Sequence, residues 1–115
     1  TGMASGNAVE NWTSTRDCGS FLSQVYAGTL VSKNASERMM QLLLGQTRRT
    51  KHPAGVPSGV KVDNKTGELA AVQNDVAIVF GTHPYVLAVM SSDISSAVAP
   101  SQITELSRAV WDAAQ

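Results

Sequence analysis

Three features of the 115-residue sequence call for an α+β domain, a three-stranded antiparallel sheet with flanking helices. Two stretches before residue 45 carry apolar residues at helical spacing, each between a capping signal and a glycine. Residues 59–91 switch to strand-like apolar runs whose connections are too short for a parallel crossover. A last amphipathic stretch, opened by Pro100, then closes the chain.

Residues 1–13 are small, polar and aperiodic, and read as a lead-in left by a severed loop or an expression remnant. The domain reading therefore covers 14–115. Ser14 and Asp17 stand at capping-box spacing, Phe21, Leu22, Val25 and Tyr26 recur on one face, and Gly28 is a stop. A first helix is predicted over 14–27. Ser32 or Asn34 starts a second, predicted over 33–44, where Met39, Met40, Leu42, Leu43 and Leu44 make a broad stripe ended by Gly45. That stripe is wider than a solvent-facing helix needs, so the helix should pack on more than one side.

The segment 46–59 holds two prolines and two glycines and reads as an irregular loop. Strands follow over about 59–68, 74–80 and 84–91. The runs Asp75–Phe80 and Tyr85–Met90 are apolar without alternation, which suggests strands covered on both faces. Gly81-Thr82-His83-Pro84 between them has hairpin length. A closing helix over 101–114 places Ile103, Leu106 and Val110 on one face, beside Trp111.

Composition narrows the function. Apolar residues are 43% and charged ones 16%, so charge-driven disorder is excluded. Nine basic and nine acidic residues cancel, which speaks against a dedicated nucleic-acid binder. No apolar run reaches the ~18 residues of a membrane span. The single cysteine, Cys18, rules out an internal disulfide framework.

The candidate chemistry is sparse. Lys65-Thr66-Gly67 sets a cation and a hydroxyl side by side on a strand, with a glycine that admits close backbone approach. The next amide, that of Glu68, is free to face an oxyanion. The same triplet also suits an ordinary strand start. Arg48, Arg49, Lys51 and His52, with Lys61 and Lys65 downstream, form a basic stretch, either a solvated loop or an anion-facing wall. It has no interleaved aromatics of the kind nucleic-acid binding uses. His52 and His83 sit beside prolines in loops and read as structural or exposed. No spacing among His, Cys and Glu resembles a metal site, and no cofactor is implied. Cys18, in the first turn of the first helix, reads as a packed or inert thiol, and Ser91-Ser92-Asp93 and Ser95-Ser96 as linker. The sequons at Asn11, Asn34 and Asn64 are read as chance or capping chemistry.

Around the Lys-Thr-Gly triplet a longer pattern emerges. It comprises Asn11-Trp-Thr-Ser, Asp17-Cys-Gly, Gln46-Thr-Arg-Arg, Pro53-Ala-Gly-Val-Pro, Gly59-Val-Lys-Val-Asp-Asn-Lys-Thr-Gly-Glu-Leu and Asn74-Asp-Val-Ala-Ile-Val. Over about residues 10–115 it resembles the C-terminal part of class A β-lactamase-like serine hydrolases, of the penicillin-binding/β-lactamase superfamily. That family's motifs are S-x-x-K, S-D-N and K-T-G, and only the third is present in its expected place. Ser58 and Lys61 have the first spacing, but in the Pro/Gly loop rather than at a helix start. No Ser-Asp-Asn triplet occurs. Glu10 is a tempting stand-in for the acidic residue that orients the deacylating water, but it lacks the surrounding motif.

The resemblance implies that Lys65 and Thr66 bind a substrate carboxylate, Gly67 lets the substrate lie along the strand, and the Glu68 N–H supplies half an oxyanion hole. Asn74 falls where many members carry a second cation. The nucleophile is expected elsewhere, so no catalytic residue is assigned and this chain alone is expected to be inactive. The implied ligand is a β-lactam or a peptidoglycan-like small molecule, and the implied location is secreted, periplasmic or in the bacterial cell envelope. In such enzymes the strand matching 84–91 pairs with an N-terminal strand. Residues 85–90 would otherwise be an unblunted apolar edge, and the expected partner is a complementary N-terminal segment or a second copy. Two other readings stay open: a non-catalytic self-associating module, and a fragment of a penicillin-binding transpeptidase or carboxypeptidase.

Overall fold

The structure, a computed structural model, describes residues 12–115. Glu10, the Asn11 sequon and most of the lead-in lie outside the described residues.

Helix α1 is Thr15–Ala27. The Ser14 hydroxyl accepts the Asp17 N–H at 3.1 Å, and Gly28 ends the helix at φ 73°, a left-handed turn only glycine enters without strain. Helix α2 is Lys33–Leu44, and Ser32 rather than Asn34 caps it, accepting from the Ala35 N–H. Gly45 stays right-handed, so it stops the helix without the left-handed cap. Between the helices the chain reverses on Val31, where the Ser32 N–H reaches back to the Leu30 carbonyl at 2.7 Å. Val31 is held at φ 60°, a costly conformation for a β-branched residue.

The sheet has strand order β1-β2-β3, all antiparallel, with β1 Lys61–Leu69, β2 Val72–Phe80 and β3 Tyr85–Val89. These limits correct the expected ones. β1 starts at Lys61 rather than 59 because Pro57–Val60 is a turn, with Gly59 at φ 91°. β2 starts at Val72 rather than 74, since Leu69 pairs with Val72 across a turn of Ala70 and Ala71. β3 stops at Val89 rather than 91, and Ser91 bonds back to Gln73 and Asn74. The closing helix α3, Ala99–Ala114, begins two residues early, with Pro100 in its first turn. The loop 46–59 is less irregular than expected, since His52–Gly55 forms one 3-10 turn.

Both faces of the sheet are covered. On one, Ile78 packs with Leu22 and Val25 of α1, ringed by Met39, Met40 and Leu43 of α2. On the other, Val62, Ala77 and Val79 lie against Trp111 of α3 and Val56 and Tyr85. Most of β2 is buried, as its unbroken apolar run requires. Every residue of β3 is only half-buried, which corrects the expectation that it too is covered on both faces. α3 packs closely on the 3-10 turn: a side chain on Gly55 would meet the Thr104 carbonyl at 2.5 Å.

Candidate functional site

The four residues singled out by sequence, Lys65, Thr66, Gly67 and Glu68, lie consecutively on β1, an edge strand. In an antiparallel ladder alternate residues turn their backbone groups toward the partner and away from it. The Val62 carbonyl accepts from the Arg49 guanidinium, and the Thr66 carbonyl from the Lys65 ammonium. With the register Gly67 to Asn74, that alternation turns the Glu68 N–H outward, away from β2. Lys65 and Gly67 are exposed and Thr66 is nearly covered.

Gly67 is a glycine the fold does not need. Its φ is not positive, and an added Cβ would sit 3.8 Å from the Asn74 Cβ, ordinary contact distance. An alanine there would therefore meet only ordinary contacts. At Lys65, two residues before Gly67 on the strand, opens a largely apolar cleft of about 440 Å³, lined also by Cys18, Phe21, Leu22, Leu43 and Val76, with Lys65 and Asp17 contributing charge. Cys18 is half-buried there, its sulfur 3.5 Å from the Thr13 hydroxyl.

Behind the strand is a buried polar layer that sequence reading missed. The Lys51 side chain is 1% exposed, and its ammonium donates to Glu68 Oε1 at 3.0 Å and to the Asn74 carbonyl at 3.1 Å. Arg48 binds the other Glu68 oxygen at 2.7 Å from the solvent side. The hydrogen bond from Lys51 holds the Glu68 carboxyl below its usual range. The basic stretch therefore divides: Lys51 and His52 turn inward onto the sheet, whereas Arg48, Arg49, Lys61 and Lys65 stay exposed.

His52 is fully buried and structural. Its backbone N–H donates to Asp75 Oδ2 at 3.0 Å, and its Nε2 lies 2.9 Å from the Asp75 carbonyl. A carbonyl only accepts, so Nε2 carries the proton and Nδ1, which has no partner, is bare. Burial lowers the His52 pKa. Asn64 donates to the other Asp75 oxygen at 3.1 Å; fully buried, it is no glycosylation acceptor. Asp63 points to the opposite face with no exposure and no hydrogen bond to either oxygen, and burial pushes its pKa up to about 6 against the pull of Lys61 and Arg49.

Other candidates fall away from the site. Ser58 is exposed in the turn before β1, and the Lys61 ammonium lies over the Phe80 ring at 4.4 Å, a cation–π contact rather than a base for Ser58. His83 is exposed, and its backbone is clamped by the Gln115 side chain. Among the described residues no three His, Cys, Asp or Glu side chains converge as a metal site would need, and no helix is long and apolar enough to cross a membrane.

An antiparallel sheet with two helices on one face and a C-terminal helix on the other is the architecture of β-lactamase-like folds. The chain superposes on the β-lactamase of Sphaerobacter thermophilus with a TM-score of 0.87 at 24% identity, over 93% of this chain and 42% of that one. It is similar to PBP-A at 26% identity and TM-score 0.82, over 88% of this chain and 39% of that one. It is also similar to the TLA-3 extended-spectrum β-lactamase at 27% identity and TM-score 0.82, over 90% and 42% of the respective chains. The chain thus spans about two-fifths of the length of these structures. The family model described as the β-lactamase enzyme family matches residues 1–114, and the chain belongs to that family. No curated protein matches it.

Proposed function

We propose that this chain is the C-terminal part of a serine β-lactam hydrolase and supplies the edge strand that binds the substrate carboxylate. Lys65 and Thr66 offer a cation and a hydroxyl to that carboxylate, Gly67 leaves room for the ligand backbone, and the outward Glu68 N–H serves as one oxyanion donor. The observation that carries this reading is Gly67, whose missing side chain the fold does not require. The nucleophile, absent from the described edge, comes from a complementary segment equivalent to the remainder of the family's fold. The half-covered β3 edge is where that segment, or a second copy, adds a strand. On this reading the protein works outside the bacterial cytoplasm, in the periplasm, the envelope or the medium.

A penicillin-binding transpeptidase or carboxypeptidase is the second reading, favoured by the similarity to PBP-A; a mutant of that protein, 27% identical to this chain, is solved as its acyl-enzyme with penicillin G. The test common to both is an intact denaturing mass of the chain after incubation with penicillin G. A single unmodified species at 12.1 kDa, together with shifts of the 65–68 amides in solution, is the expected result. A covalent adduct would overturn the missing-nucleophile reading, with Ser58 the first residue to mutate.

A further inference from the structure

A buried ammonium is costly unless it is paired and hydrogen-bonded, so what Lys51 grips is informative. One of its bonds goes to the Glu68 side chain, the other to the Asn74 carbonyl. Asn74 is the cross-strand partner of Gly67, and Glu68 is the residue after it. The two bonds therefore bracket Gly67 along the strand and across it. Glycine has the most backbone freedom of any residue and no side chain by which packing could lock it. In an edge strand nothing on the outer side restrains it either.

Lys51 is a firm post for this task. Its own carbonyl accepts from the Thr104 hydroxyl of α3 at 3.2 Å, and the neighbouring His52 N–H is bound to Asp75. Arg48 grips the same carboxylate but is 64% exposed, so its hold is weaker and screened by salt. We propose that Lys51 is a positioning residue of the ligand-binding edge: it fixes the Gly67–Glu68 peptide so that the Glu68 N–H is already aimed at an incoming oxyanion. This rests on the reading of that edge given above.

The test uses the ¹⁵N-labelled chain, amide exchange and titration with penicillin G. In Lys51→Met, loss of a charge-assisted bond speeds exchange of the Gly67 N–H about tenfold and shrinks the penicillin-induced shift of the Glu68 amide, while the Ala77 and Val79 amides keep wild-type exchange. Glu68→Gln, which keeps an oxygen acceptor for Lys51 but not the charge, speeds Gly67 exchange only slightly, and Glu68→Ala speeds it more than Glu68→Gln but less than Lys51→Met. Wild-type behaviour of Lys51→Met at Gly67 and Glu68 overturns the inference. So does faster exchange spread equally over Ala77 and Val79, which would make Lys51 a plain stabiliser of the fold. If Lys51→Met does not fold, the contrast between Glu68→Ala and Glu68→Gln decides, since that side chain is one-third exposed. A wild-type chain that penicillin G leaves unmoved defeats the ligand reading instead, and exchange at Gly67 then judges the positioning alone.

Discussion

Replacing Asp63 by asparagine should stabilise the chain at pH 8 by about 2 kcal/mol and leave it almost unchanged at pH 4. Asp63 has no solvent exposure and neither oxygen accepts a hydrogen bond. Burial lifts its pKa from 3.8 to about 6. The folded state therefore holds its proton more tightly than the unfolded state, and stability falls as pH rises from about 4 to about 6, then stays level. At about 1.4 kcal/mol per pH unit the full effect is about 3 kcal/mol, and asparagine recovers about 2 of it because its own amide N–H groups also lack partners at that buried position. Asparagine copies the neutral acid and so removes this loss. The assay is urea unfolding of both proteins at pH 4, 6 and 8, followed by tryptophan fluorescence. The stability difference between them should open across that window. A difference flat in pH, or an asparagine variant less stable at pH 8, would refute the reasoning.

The opposite pH trend belongs to His52. Its pKa is lowered in the fold by burial, so stability should fall as pH drops below about 6.5, and a pH titration of the unfolding midpoint in the Asp63→Asn background checks it, with the raised pKa of Asp75 opposing the loss at lower pH. Val31→Gly should stabilise by roughly 0.5–1 kcal/mol, since relief at φ 60° outweighs added chain entropy and Val31 is 90% exposed; a lower melting temperature would contradict this. Gly55→Ala should cost at least about 2 kcal/mol, because its Cβ would meet the Thr104 carbonyl and the Ser107 side chain below 3 Å, and thermal unfolding reads it directly. Gly67→Ala should leave the melting temperature within a degree or two, roughly 0.5 kcal/mol, while abolishing the penicillin-induced shift of the Glu68 amide. Equal loss of stability at Gly55 and Gly67 would show that Gly67 serves the fold after all.

The helices were legible because their signals are local. Ser14, Gly28 and Ser32 act within one turn of themselves, and the apolar stripes of α1 and α2 repeat at helical spacing whatever they pack against. The turn at Ala70 and Ala71 was not legible: neither residue takes a positive φ, so no glycine or asparagine announced it. The over-extension of β3 has a similar source, because an apolar run does not say where the partner strand ends.

The polar layer of Lys51, His52, Asn64 and Asp75 was hidden for a different reason. Its bonds join residues 11 to 23 positions apart, and a lysine or histidine in a Pro/Gly-rich stretch looks the same in sequence whether it faces water or the sheet. The triplet Lys65-Thr66-Gly67 drew notice for its own chemistry, but three residues also suit an ordinary strand start, and the longer family pattern around it carried the functional reading. That Gly67 is unnecessary to its own fold needed the distance to Asn74.

By itself, then, the chain's order of residues determined the α+β layout, the antiparallel strand order and the place of the candidate edge, since caps, periodicity and connection length act locally. Tertiary structure alone decided which charges are buried and which backbone groups face out. It put Lys51 beneath Gly67 and turned the Glu68 N–H toward open space, because burial and register are properties of segments brought together rather than of any one of them.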